Sequence, residues 1–131
     1  MGKHDAEINI PEVVAEVEAV FARYETALVT NDVESLDALF WDDSRTIRYG
    51  APENLYGMDE IRAFRRQRPS AGLARELERT VITTFGRHFA TASTLFKRET
   101  APGRIGRQMQ TWVRLSDGWR IVSAHVSVID I

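Results

Sequence analysis

Tyr24 sits inside an apolar helical stripe, formed by Val13, Val17, Val20, Phe21, Tyr24, Ala27 and Leu28 at three- and four-residue steps. Its ring belongs to a core, and its hydroxyl there needs a partner. It reads either as a core tyrosine reaching an edge or, with an arginine beside it, as a group that donates or relays a proton. Arg48 follows Ile47 in a short strand next to the Gly50–Pro52 turn. Pointing inward it would grip a carboxylate through two parallel N–H bonds; pointing outward it is a strand-end surface charge. Two late strands carry the other candidates. Gln108, Gln110 and Trp112 share one face of the first, and Ser123, His125 and Ser127 form a polar ladder on the second, bounded by Trp119, Ile121 and Ile129. A polar ladder on a largely covered strand suits a pocket wall. The same ladder also fits a solvent-facing strand, or a hydrogen-bonded core histidine. Arg62, Arg65, Arg66 and Arg68 cluster around a third helix, and Arg104 and Arg107 lie near a turn; one or two of these would line an entrance and the rest a solvated face.

Other chemistries have less to stand on. There is no cysteine, so no disulfide framework, thiol nucleophile or cysteine metal site is available. His4, His88 and His125 have no metal-ligand spacing, and no phosphate loop or dinucleotide fingerprint occurs. Ser44, Ser123 and Ser127 lack nucleophile-elbow surroundings. Seventeen Lys+Arg against nineteen Asp+Glu leave a net charge of -2, without the basic field that nucleic acid demands. The polar start and the lack of a long apolar run predict neither secretion nor a membrane span, and so a cytoplasmic protein.

The 131 residues suit one domain, with a leader over 1–10 and a folded unit over 11–131. Pro11 opens the first helix, and Asn31 with Glu34 has capping-box spacing for a second. Thr46 to Tyr49 is a brief strand, and a third short helix follows Gly57. After Pro69 the period drops to two: Leu77–Phe85, Phe89–Lys97, Gln108–Leu115 and Trp119–Ile129 read as consecutive strands. Helices first and a strand meander after predict an α+β fold with the helices covering one sheet face.

The order of elements resembles the NTF2-like (SnoaL-like, cystatin-like) cone. More closely, Arg48-Tyr49-Gly50, Glu53-Asn54-Leu55-Tyr56-Gly57, Gly106-Arg107-Gln108-Met109-Gln110-Thr111-Trp112 and Gly118-Trp119-Arg120-Ile121-Val122 are similar to segments of the AtzH-like family, which includes HpxZ-type oxalurate catabolism proteins. The resemblance implies a homodimer of cones, each with a pocket between helices and sheet. It further implies an enzyme without a cofactor, acting on a carboxylated urea or amide, as in the decarboxylating hydrolysis of 1,3-dicarboxyurea to allophanate. Tyr24 and Arg48 match the family's key tyrosine and arginine. Gln110, His125, Ser127 and Trp112 would then orient substrate, with a second carboxylate held by Arg65, Arg68 or Arg107. Two rival readings are a non-catalytic anion-binding accessory to a ureide amidohydrolase, and an association module using the Val-rich sheet face as its dimer surface.

Overall fold

The computed structural model describes residues 5–131; Met1 to His4 lie outside the described residues. Helix α1 (Pro11–Val29) starts with its proline where a missing N–H is harmless, and buries the predicted stripe from Val13 to Leu28. Before it, Ile8 bridges Phe85, and Asn9 exchanges two bonds with Thr84, N to O at 3.0 Å and Oδ1 from N at 2.9 Å. Helix α2 (Val33–Ala38) is capped one residue later than the Asn31/Glu34 spacing suggested. Asp32 is the cap, accepting from Ser35 N at 3.2 Å and Ser35 Oγ at 2.6 Å, while Asn31 takes a left-handed φ of 52°. Helix α3 spans Met58–Gln67.

The strands are β1 (Ile47–Tyr49), β2 (Asn54–Tyr56), β3 (Glu76–Phe85), β4 (Phe89–Lys97), β5 (Arg104–Leu115) and β6 (Gly118–Asp130). They form one open sheet in the order β2-β1-β6-β5-β4-β3, antiparallel except where β1 runs parallel to β6. The three helices cover its inner face. Val17, Leu36, Ile61, Trp112 and Ile121 are wholly buried between the layers, with Ala90 and Ala92 supplying short side chains beneath them.

A bulge in β6 decides which of its residues face inward. Thr111 pairs with Ser123 but Trp112 pairs with Ile121, so Val122 is an extra residue and the alternation changes phase there. Ile121 and Ala124 are consequently both buried. Beyond the bulge Val126 and Val128 face the interior, and Ser123, His125 and Ser127 turn to the outer face. This corrects two expectations: the polar ladder is not a wall of the interior, and the Val-rich face is not an outer association surface. Alternation counted straight through from Trp119 misses the phase change. The outer face instead leaves Met109 (59%) and Val81 (56%) exposed.

Gly106 is needed for a close approach. It lies opposite Phe96 across β4 and β5, and a Cβ on it would stand 2.0 Å from Phe96 Cζ. We expect Gly106→Ala to lower the unfolding free energy by about 1–3 kcal/mol through overpacking. The loss shrinks in a Phe96→Leu background, where the ring is gone. Urea midpoints of the double-mutant cycle check this; simple additivity would show that the ring is not the obstacle.

Candidate functional site

Beneath the open end of the sheet lies a cavity of about 290 Å³, bounded by α1, α3, the β1–β2 turn and the strand ends. Tyr24 and Leu28 contribute from α1, Phe64 from α3, and Val126 and Val128 from β6. Arg48 is turned inward by its register: it pairs with Ala124 on β6 and Leu55 on β2, both buried, whereas Tyr49 pairs with outward His125. Tyr24 is 3% exposed, its ring tilted against Phe40 at 6.3 Å.

Four arginines border this space, Arg48, Arg68, Arg75 and Arg98. Two are neutralised. Arg48 Nη1 donates to Glu53 Oε2 at 2.6 Å, and Arg75 forks onto Glu25 at 2.9 and 2.6 Å. Arg75 Nη2 also donates to Gln108 Oε1 at 3.0 Å. An arginine only donates, so the glutamine must offer it the oxygen, and Gln108 Nε2 is left buried with no partner among the described residues. The other two arginines have no carboxylate partner among the described residues. Arg68 reaches Asn31 Oδ1 only at 3.5 Å, Arg98 stacks over the Phe96 ring at 4.8 Å, and the Nε of each is buried without a hydrogen-bond partner among the described residues. Phe96 also carries Arg75 over its ring at 4.6 Å, so one phenyl ring holds two guanidinium groups.

The electrostatics follow. Burial pushes the Arg68 guanidinium below its ordinary pKa, and the charges of Arg65, Arg48 and Arg98 push the same way. Burial does likewise at Arg98, aided by Arg75. At Arg98 the Glu25 carboxylate opposes the shift and favours the charged form. Four guanidinium groups thus meet two carboxylates, a surplus of two positive charges in a partly dry site. The arrangement is suited to binding a small dianion.

The residues singled out in the sequence separate in space. Tyr24, Arg48 and Arg68 border the cavity together. Gln110 faces inward but lies deeper in the core, 2% exposed, its Oε1 accepting from Trp112 Nε1 at 3.0 Å, and Trp112 is wholly buried beside it. Arg65 is buried under α3, donating to Asp37 Oδ1 at 2.6 Å with Phe40 4.3 Å beneath it; it ties α3 to α2 and does not line the cavity. His125, Ser127 and Arg107 are on the outer face. Arg107 Nε donates to Ser127 Oγ at 3.1 Å, and His125 meets the Tyr49 ring edge-on at 6.1 Å. Glu53, Arg75, Arg98 and Glu25 were not singled out, whereas strand alternation placed Gln108 on the face of Gln110; Arg75 and Arg98 lie in or next to the turns flanking β3 and β4, where sequence does not show direction. A larger cleft of about 400 Å³ between α1 and α2 is lined by Ala22, Thr26, Ala27 and Ala38, and its Asp32 carboxylate is spent on the α2 cap.

Comparison with known proteins places the fold. A family model described as AtzH-like matches residues 6–131. A crystal structure of a protein of unknown function from Pectobacterium atrosepticum is 60% identical, with a TM-score of 0.92 over 94% of this chain and 95% of that one. A cystatin-like fold protein from Burkholderia xenovorans is 52% identical, with a TM-score of 0.93 over 96% and 98%. An NTF2-like protein of unknown function from Pseudomonas putida, 17% identical with a TM-score of 0.75 over 88% and 86%, shares the fold. No curated protein matches the chain. The architecture is the α+β NTF2-like, or cystatin-like, cone. Among the described residues no helix is long and apolar enough to cross a membrane.

Paired and unpaired arginines should respond oppositely to removal. Arg75→Ala strands a partly buried Glu25 and is expected to cost about 3 kcal/mol. Arg98→Met removes an uncompensated charge and keeps the stem on Phe96, so stability holds or rises by up to about 1 kcal/mol. Urea denaturation of the two variants measures both; an Arg98→Met loss as large as that of Arg75→Ala would contradict the charge surplus.

Proposed function

The chain belongs to the AtzH-like family, and from that premise we propose that it is an enzyme cleaving a C–N bond in a small carboxylated urea or amide, such as 1,3-dicarboxyurea or an oxalurate-type compound. The observation that carries this reading is the pair of buried guanidinium groups, Arg68 and Arg98, left without acids in a cavity that also holds Arg48 and Tyr24. A dianion such as 1,3-dicarboxyurea would supply both missing negative charges, and an oxalurate-type compound one. One carboxylate would lie at Arg68 and Arg98, and the reacting end at Arg48, whose charge stabilises negative charge developing there.

In the decarboxylating reaction of an N-carboxylate, the bond between nitrogen and the carboxylate carbon breaks. Its electron pair goes to nitrogen, and carbon dioxide leaves. Nitrogen then needs a proton, and Tyr24 has the acidic hydrogen to deliver it, regaining one from solvent afterwards. Proton delivery and charge stabilisation are both supplied by side chains, so the scheme calls on no cofactor. The homodimer implied by family membership would pair through the outer face, where Met109 and Val81 are exposed.

The test is turnover of 1,3-dicarboxyurea, followed by release of carbon dioxide. Tyr24→Phe is expected to lower kcat by about 10²–10⁴ with little change in KM. Arg68→Met should chiefly raise KM. Wild-type protein that binds dicarboxylates but turns over no carboxylated urea or amide would leave an anion-binding accessory protein in place of the enzyme. Full activity in Tyr24→Phe would remove the tyrosine from the mechanism.

A further inference from the structure

Among the described side chains that line the cavity, Glu53 is the one that only accepts hydrogen bonds. Tyr24, Arg48, Arg68, Arg75, Arg98 and the Gln108 amide nitrogen all offer hydrogens. Glu53 lies at the end of the β1–β2 turn, closed by a bond from Gly50 N to Glu53 O at 2.9 Å. One of its oxygens, Oε2, takes the Arg48 bond at 2.6 Å. The other, Oε1, is buried with no hydrogen-bond partner among the described residues. A buried carboxylate oxygen without a donor is costly, and the terminal torsion of a glutamate is soft enough to turn it toward the cavity.

The carboxylate is also deliberately accommodated. A Cβ on Gly50 would stand 2.0 Å from Glu53 Oε2 and 2.7 Å from Oε1. A Cβ there would push the flexible acid out of the position it holds against Arg48. Turned toward the cavity, the free Glu53 oxygen would stand as an acceptor beside the Arg48 donors, the complement of a carboxylate or carbonyl oxygen beside an N–H.

We infer that Glu53 is a specificity-determining residue, accepting a hydrogen bond from the substrate's urea or amide N–H and so selecting carboxylated amides over carboxylates that lack one. This rests on the reading of the cavity as a site for a carboxylated urea or amide. It adds the group that separates such a substrate from an ordinary dicarboxylate, which the arginines would hold as well.

N-oxalylglycine and 2-oxoglutarate form a suitable probe pair. They have the same length and charge and differ by an amide N–H in place of a CH₂. Calorimetric titration of the full chain is expected to give at least tenfold tighter binding of N-oxalylglycine, about the effect of one hydrogen bond to a charged acceptor. In Glu53→Gln, Arg48 still demands an oxygen, as Arg75 does of Gln108, so the amide NH₂ takes the other position. The preference should then fall to within about twofold or invert. Gly50→Ala keeps the acid but displaces it, and should lose the preference too, guarding against a fold defect peculiar to one variant. Equal binding of both ligands by wild type, or a preference kept in both variants, overturns the role of Glu53 alone. Binding of neither ligand by wild type overturns the anion-binding cavity, and this inference with it.

Discussion

Like charges repel, and an interior with low dielectric strengthens the repulsion. The arginines around the cavity would therefore spread apart unless their stems were held, and much of the surrounding structure holds them. Glu25 on α1 fixes Arg75 through two hydrogen bonds, and Phe96 carries both Arg75 and Arg98 on its ring. Gly106 in turn leaves room for that ring. On the other side Arg48 is fixed by Glu53, and Gly50 leaves room for Glu53. In each half a glycine admits a bulky group, which positions an arginine.

The arginines bordering the cavity differ in this from the one packed beside it. Arg65, outside the cavity, has its acid in Asp37, although burial still depresses its pKa. Arg68, about one helical turn further on, has none among the described residues. The stability forgone at Arg68 and Arg98 is the kind of local cost that binding sites retain, because the interaction is completed by the ligand rather than by the protein. The cone supplies the rest: a curved sheet and a long helix meet at their closed end in a dry core of Trp112 and Ile121, and part at the open end to leave the cavity.

The helices and the meander were legible in the sequence because their periods are long and regular. Strand β2 was not, since three residues carry no period. The direction of Arg48 follows from its pairing to Ala124, and that depends on the Val122 bulge, which alternation alone cannot reveal. The same bulge sent His125 and Ser127 to the outer face. Tyr24 was legible because a tyrosine inside an apolar stripe is conspicuous. Arg75, Arg98 and Glu53 were not, because residues in and beside turns have no periodic neighbour to give their direction. The pair Gly50 and Glu53 held a faint signal, a glycine and an acid three apart across a proline turn beside an arginine.

The proposed chemistry depends on where a dianion binds. A crystal of the protein soaked with malonate tests this most directly. The account predicts density inside the cavity, with one carboxylate within hydrogen-bond reach of Arg68 and Arg98 and the other at Arg48 beside Tyr24. Density confined to the α1–α2 cleft or the outer sheet face, with the arginines unvisited, would contradict it.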